Sequence, residues 1–192
     1  MEIDPLDNDL DYPAASIKDK INKKVRYYID TEFIEYQKTI DLISIGIKCE
    51  DGRTFYAEST EFNLSKASEW VKENIIPKLL HQNKKPFIDR NSKNSFAMFS
   101  NNKRIADMIK IFIGNDIPEF WGYYADYDWV VFCWLFGSML DVPFVWPLYC
   151  KDLKQLLDEY NIKKIPDPTD EHNALADAIW NERLHKHINL IK

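Results

Sequence analysis

The sequence is poor in glycine and cysteine, and these shortages exclude several kinds of site. Its five glycines form no Gly-rich phosphate loop of the Walker or dinucleotide type, which counts against nucleoside-triphosphate and NAD binding. Cys49, Cys133 and Cys150 form no Cys-x-x-Cys pair, so neither a zinc site nor a disulfide framework is indicated. We expect three reduced thiols in a cytoplasmic protein.

A long apolar run and an excess of basic charge are also lacking. The longest apolar stretch, Trp129 to Leu140, is about half of the roughly 20 residues that a spanning helix needs. The chain shows no signal-peptide pattern, so we expect no membrane association. The formal charge of −6 is unlike that of proteins that coat DNA. It is compatible with an enzyme that meets phosphates through bound cations.

The order of predicted elements indicates one α/β domain. Residues 1–24 lack apolar periodicity and predict a loosely ordered polar leader, which leaves 25–192 as the folded domain. Strands are expected at Val25–Asp30 and in the stretches "TIDLISIGIKC" and "RTFYAEST". The Asp51-Gly52 turn between the last two favours an antiparallel meander of three strands.

Helices dominate the remaining sequence. Ser65 is expected to cap a helix that ends near Pro77, with Trp70 at a core position, and residues 81–102 are polar enough to predict a surface loop. A short strand, "PEFWGYY", and four helices follow: "NKRIADMIKIFIG", "DYDWVVFCWLFGSML", "KDLKQLLDEYN" and "NALADAIWNERLHKHINLI". This pattern is typical of a mixed central sheet, an antiparallel meander plus a parallel strand, flanked by helices.

Two carboxylates stand together in the stretch "YYIDTEFIEY". Asp30 and Glu32 share one face of a strand, because side chains alternate along it. Like charges on one face repel, so either a cation lies between them or one of them is protonated. Each carboxylate alone is more typical of a solvated strand face.

Further polar candidates stand at the starts of two predicted helices. "ADYDWVVF" offers Asp126 and Asp128, and "EHNALAD" offers His172 and Asp177. An aspartate at a helix start is most often an N-cap, and a histidine before a helix is usually a surface residue. The small residues beside Asp177 would allow another element or a ligand to come close.

Three motifs together resemble a known superfamily. "IDTEF", "YDWVVF" and "HNALAD" resemble, in order, the three motifs of the DEDD 3′-to-5′ exonucleases, whose fold is ribonuclease-H-like. The His-x-Ala-x-x-Asp form of the third motif is similar to the DEDDh branch. The longer stretches "YYIDTEFIE", "IDLISIGI", "AESTEFN" and "HNALADA" look like the polyadenylate-specific 3′-exoribonuclease group (RNase AS). The resemblance runs from Val25 to the C-terminus.

The resemblance implies a reaction and its residues. Asp30, Glu32, Asp128 and Asp177 would bind two Mg²⁺ ions, for which Mn²⁺ is expected to substitute, and His172 would be the general base. The substrate would be the 3′ end of single-stranded RNA, with adenylate-rich ends preferred, and the product a 5′-mononucleotide. A homodimer is implied as well. The chemistry of divalent cations is consistent with these roles. Hard cations prefer oxygen ligands, and two cations roughly 3.5–4 Å apart can stabilise an in-line displacement at phosphorus.

Asp128 is preferred over Asp126 as the third acid. Helical positions two apart point about 200° away from each other, so one of the two faces the site. The family pattern places the ligand directly after an aromatic residue, here Tyr127, and Asp126 is expected to cap the helix. Tyr124 departs from the family, since many members have asparagine four positions before the aspartate.

Two aromatic residues are candidates for substrate contact. Related exonucleases place the residue after the second carboxylate, here Phe33, against the terminal base, where stacking contributes roughly 1–3 kcal/mol. Trp121 is a second candidate. Core packing is the alternative for both side chains.

Other functions stay open at this point. A DNA-directed or non-specific 3′ exonuclease would use the same residues. A nucleic-acid-binding module without catalysis is a further alternative, although all four acids and the histidine are present. An α/β domain with scattered surface acids would bind no divalent cation.

Overall fold

The computed structural model describes residues 24–80, 88–92, 94–168 and 170–191. The strands are β1 (Lys24–Tyr36), β2 (Thr39–Cys49), β3 (Thr54–Ser59), β4 (Ile88–Ser92), β5 (Ser95–Ser100), β6 (Ile117–Gly122) and β7 (Lys151–Asp152). The α-helices are α1 (Glu69–Asn74), α2 (Asn102–Ile113), α3 (Asp126–Phe136), α4 (Leu153–Glu159) and α5 (Ala174–Ile191). The leader predicted at 1–24 lies outside the described residues, apart from Lys24.

The strands form one mixed sheet in the order β4-β5-β3-β2-β1-β6-β7. β1, β2 and β3 pair antiparallel in sequence, and β6 pairs with β1 in parallel. The turn between β2 and β3 contains Gly52 at φ 103°, a left-handed conformation that glycine adopts without steric cost. The predicted meander with an added parallel strand is therefore confirmed.

Helices cover both faces of the sheet. One core packs Tyr27 and Ile29 of β1 with residues of α2 and α3. Tyr28, between them on β1, instead packs with Trp180 and Leu184 of α5. Because side chains alternate along a strand, Asp30 continues the face of Tyr28, toward α5. The direction of the paired carboxylates follows from this alternation.

The predicted helix start at Ser65 was wrong. Ser65 lies in a short 3-10 helix, Leu64–Lys66, capped by Asn63. The buried Ala67 then adopts an extended conformation, which interrupts the helix. Ser68 caps α1 instead, accepting the Val71 N–H at 3.2 Å. A second 3-10 helix, Ile76–Lys78, contains Pro77 and follows α1.

The loop predicted over 81–102 was also wrong where the structure describes it. β4 and β5 pair antiparallel, and β5 pairs in parallel with β3. Met98 is fully buried in the main core and Phe96 packs against it, so tertiary packing outweighs the polar composition. Residues 81–87 and 93 lie outside the described part. Within the described ranges, no helix is long and apolar enough to cross a membrane.

Candidate active site

Three carboxylates that are distant in sequence meet beside β1. Oxygen atoms of Asp30, Glu32 and Asp177 all lie within 4.8 Å of one another. Asp30 and Glu32 come from β1, and Asp177 comes from the first turn of α5. This spacing allows their oxygens to share a cation.

Local hydrogen bonds fix the start of α5. Asn173 caps the helix, its side chain accepting the Ala176 N–H at 3.1 Å. The Asn173 N–H donates to the Asp177 carboxylate at 3.2 Å. One turn further along, the Asn181 amide donates to the Ile29 carbonyl at 3.0 Å. These bonds hold Asp177 next to the strand that carries Asp30.

The two aspartates at the start of α3 have different environments. Asp128 is buried, 7% exposed, whereas Asp126 faces solvent. The expected capping role of Asp126 was wrong, because Ala125 is the N-cap residue and no side chain caps the helix there. The Ala125 N–H donates instead to Asp152 at 2.8 Å, so a residue outside α3 satisfies it.

Asp128 is held against β1 by Thr31. One carboxylate oxygen of Asp128 accepts both the Thr31 N–H at 2.8 Å and the Thr31 hydroxyl at 2.5 Å. Asp128 thus stands beside the group formed by Asp30, Glu32 and Asp177. Its charge contributes to raising the pKa of Asp30.

The carboxylates raise one another's pKa in addition to the effect of burial. Burial, followed by the charges of Asp177 and Asp128, raises the pKa of Glu32 to about 8. The Lys78 ammonium acts in the opposite direction on Glu32. Burial and the neighbouring acids raise the pKa of Asp30 well above its ordinary value, and burial raises that of Asp128 to about 6. A bound cation would lower these pKa values, so that all the carboxyl groups would be ionised near neutral pH.

His172 lies in the loop that leads into α5, close to these carboxylates. Its charge and its backbone N–H both lower the pKa of Asp177, against the larger effect of burial. His172 has φ 63°, a left-handed conformation uncommon for residues other than glycine. Its ring stands edge-on to Trp70, with centroids 4.8 Å apart and an interplanar angle of 86°.

A cavity of about 310 Å³ opens beside Glu32. Phe33 and Trp70 line it, together with Ser68 and Val71. Phe33 is half-buried and meets Tyr127 edge-on at 5.8 Å between centroids. Phe33 thus lies on a wall of a cavity next to Glu32.

Sequence reasoning missed two residues at this site. Trp70, expected in the core, is 50% exposed. Lys78 donates a hydrogen bond to the Glu171 carbonyl, next to His172. No local signal identifies the exposed position of Trp70. No local signal identifies Lys78.

Trp121 occupies a different place. It is 8% exposed and packs with Tyr28 and Leu153 in the core under α5. The centroid of its ring lies 4.1 Å from the centroid of the His185 ring, and the Lys151 ammonium lies over the Trp121 ring. This is the packing role that the sequence left open as the alternative for Trp121.

Comparison with known proteins identifies the family of this chain. A family model for the Rv2179c-like 3′-5′ exoribonuclease domain matches residues 25–189. The chain therefore belongs to this family and is a 3′-5′ exoribonuclease.

Two named relatives and one solved structure are similar. The chain is 36% identical over 158 residues to the 3′-5′ exoribonuclease Rv2179c of Mycobacterium tuberculosis strain H37Rv, covering 80% of this chain and 87% of the relative. The same figures hold for the 3′-5′ exoribonuclease MT2234.1 of strain CDC 1551. The fold resembles the Saccharomyces cerevisiae Pan2 UCH-Exo module solved with AAGGA RNA, with a TM-score of 0.53 and 14% identity. That match covers 98% of this chain and 33% of the yeast chain.

Proposed function

We propose that this exoribonuclease is of the DEDDh type and depends on two divalent cations, releasing 5′-mononucleotides from the 3′ end of single-stranded RNA. The observation that carries the proposal is the meeting of Asp30, Glu32 and Asp177 within 4.8 Å of one another. Carboxylates brought this close in a half-buried site are all ionised only when positive charge lies between them; without it, one of them is protonated.

The donor set fits Mg²⁺ or Mn²⁺. All the candidate ligands are carboxylate oxygens, which hard divalent cations prefer over nitrogen or sulfur. The pKa of Glu32, raised to about 8, marks a place where a nearby cation would strongly favour ionisation. Asp30, Glu32, Asp128 and Asp177 would hold the ions.

Other side chains at the site would activate the water and orient the ligands. His172 would take the proton from the attacking water, a role suited to imidazole near neutral pH. Thr31 keeps Asp128 turned toward β1. The chemistry supplied by bound cations would be electrostatic stabilisation of the attacking water and of the departing 3′ oxygen.

The cavity beside Glu32 suits the terminal nucleotide. Phe33 offers aromatic surface there, and stacking on a base contributes roughly 1–3 kcal/mol. We also propose a preference for adenylate, because the sequence resembles the RNase AS group. The larger stacking surface of a purine agrees with it.

Digestion of end-labelled RNA tests the proposal. A 5′-labelled A-tract RNA with Mg²⁺ should give a ladder that shortens from the 3′ end, with AMP released. Both EDTA and the substitution Asp30→Asn should abolish the ladder, while Asp107→Asn, at a partly exposed position on α2, should leave it unchanged. Intact RNA with both Mg²⁺ and Mn²⁺ would refute the metal-dependent mechanism.

Substrate choice needs a second set of oligomers. U-, C- and G-tracts of equal length measure the preference for adenylate, and a DNA A-tract tests the alternative of a non-specific exonuclease. Equal rates on RNA and DNA would show that the 2′-hydroxyl is not recognised. Equal rates on all RNA tracts would remove the adenylate preference alone.

A homodimer is proposed as well. Apolar side chains after α3 are strongly exposed, including Leu140 at 77% and Val145 at 63%, with Phe144 fully exposed. Contiguous exposed apolar surface of this kind often marks an interface. Light scattering coupled to gel filtration should give twice the 22.8 kDa of the chain, and Phe144→Lys should give the monomer.

A further inference from the structure

The segment from α1 to Lys78 contacts the His172 loop at two points. Trp70, on α1, meets the His172 ring edge-on with centroids 4.8 Å apart. Lys78, at the end of the following 3-10 helix, donates a hydrogen bond to the Glu171 carbonyl. Its ammonium also lies 4.0 Å from the Asp170 carboxylate. One contact is therefore with the ring and the other with the backbone directly before it.

The loop has a backbone that needs such support. Asp170 and His172 have φ values of 56° and 63°, in the left-handed region that L-residues other than glycine rarely occupy. Residues in such conformations persist where the surrounding structure holds them. Helix α5 begins at Ala174, so the loop is fixed on that side by the helix and on the other by the contacts of Trp70 and Lys78.

The same contacts reach the carboxylate group. Trp70 also lines the cavity beside Glu32, and the Lys78 ammonium lowers the pKa of Glu32. Both residues thus lie near Glu32 as well as near the loop. Trp70 is 50% exposed, and burial in the core does not account for its position.

We infer that Trp70 and Lys78 are positioning residues that hold His172 at the carboxylate site. The inference rests on the proposed role of His172 as general base. The two residues act through His172 and make no chemical contribution of their own. Loss of either contact would release the loop and misplace the imidazole, and a displacement of about 1 Å at a reacting group can cost up to about 100-fold in rate.

Kinetics of paired variants test the inference. Trp70→Leu and Lys78→Met should each lower kcat roughly tenfold or more with KM within about threefold, the pattern of a group needed after binding. Trp70→Phe and Lys78→Arg should recover most of the loss. Trp134→Leu, at an exposed position on α3, and Lys72→Met, on α1, are the matched controls and should keep wild-type kcat.

A double-mutant cycle separates positioning from other roles. In a His172→Ala background, Trp70→Leu and Lys78→Met should cause no further loss of kcat, because a residue that acts only through His172 has nothing left to position. A loss that multiplies in this background, or a rise in KM alone, would overturn the inference and make the residue a substrate contact or a general structural element.

Spectra of the histidine rings give a readout that is independent of activity. The protein has four histidines, and His172→Ala identifies the signal of His172 in a proton–nitrogen correlation spectrum of the metal-free protein. Trp70→Leu and Lys78→Met should shift that signal, and Lys72→Met should not. An unchanged His172 signal in both variants would overturn the inference.

Failure of the proposed base role would look different. If His172→Ala keeps wild-type kcat, the base role fails, and the inference that the two contacts serve catalysis fails with it. If His172→Ala lowers kcat while Trp70→Leu and Lys78→Met do not, the base role stands and the positioning inference alone is wrong. Trp70→Phe and Lys78→Met remain informative should Trp70→Leu fail to fold.

Discussion

Gly46 on β2 lies directly against Ala174, the first residue of α5, so that a Cβ atom at Gly46 would overlap the Ala174 carbonyl. Gly46 also pairs with Asp30 across β1 and β2. The distance between the helix of Asp177 and the strand of Asp30 is therefore set by a residue without a side chain. A glycine in a strand often marks such a close approach of backbone.

Gly46→Ala is expected to move the start of α5 and separate Asp177 from Asp30. Overpacking against backbone costs about 1–3 kcal/mol of unfolding free energy, and kcat should fall roughly 100-fold, as expected for misplaced catalytic groups. Thermal unfolding and the RNA digestion assay measure the two effects.

Gly52→Ala is the control for this change. Gly52 has φ +103° but no neighbour near its Cβ position, so alanine there should lower stability by about 1 kcal/mol and leave kcat unchanged. Wild-type kcat in Gly46→Ala would show that the acids do not depend on this approach.

Thr31→Val is expected to lower kcat roughly tenfold. The substitution keeps the shape of the side chain but removes the hydroxyl that donates to Asp128 at 2.5 Å, and a hydrogen bond to a charged group contributes about 1.5–3 kcal/mol. Thr31→Ser keeps the donor and should keep most of the activity. Equal kcat for both variants would mean that the backbone N–H of Thr31 alone suffices to place Asp128.

Asp128→Asn and Asp126→Asn should have opposite outcomes. Asp128 is buried beside the other acids, whereas Asp126 is exposed on α3. We expect Asp128→Asn to reduce kcat by roughly 100-fold or more and to weaken Mn²⁺ binding, measured by electron paramagnetic resonance, because a carboxylate oxygen is lost. Asp126→Asn should stay within about twofold of wild type in both measurements. Retained Mn²⁺ binding in Asp128→Asn would remove Asp128 from the ligand set.

The metal-free protein should lose stability as the pH rises. In the folded state the pKa of Glu32 is raised to about 8 from 4.5, so between these two values the folded state binds more protons than the unfolded state. Stability then falls as pH increases. The midpoint of thermal unfolding in EDTA should drop by roughly 5 °C or more between pH 5 and pH 8, given the usual 2–4 °C per kcal/mol for a domain of this size.

Two variations check the origin of that drop. Glu32→Gln should make the dependence on pH less steep, because one of the carboxyl groups with a raised pKa is removed. Mg²⁺ at pH 8 should restore the midpoint, since a ligand that binds only the folded state stabilises it. A midpoint in EDTA that rises from pH 5 to pH 8 would contradict the raised pKa.

Much of the fold could be predicted from local pattern. Alternation along β1 and the Asp51-Gly52 turn predicted the meander, and helical spacing predicted α2 and α5. The strands β4 and β5 could not be predicted in the same way. β4 is mostly polar and the sequence around both strands is polar, and β5 is a strand because it pairs with β3 and buries Met98.

Part of the candidate site could also be predicted from local sequence pattern. The same alternation placed Asp30 and Glu32 on one face. Helical geometry indicated that only one of Asp126 and Asp128 faces the site, and the resemblance to the exonuclease family selected Asp128. Sequence placed Trp70 in the core, but Ser68 rather than Ser65 caps α1. Trp70 is instead 50% exposed and its ring meets that of His172.

The sequence by itself determined which carboxylates share a face and which residue types could serve as metal ligands and base. These features depend on neighbours within one or two turns of chain, where backbone geometry fixes side-chain direction. The tertiary structure alone decided that the backbone of Ala174 packs closely against Gly46, that Thr31 holds Asp128, and that Trp70 and Lys78 contact the His172 loop. Such contacts join residues far apart in the chain, and packing of the sheet against its helices sets their distances.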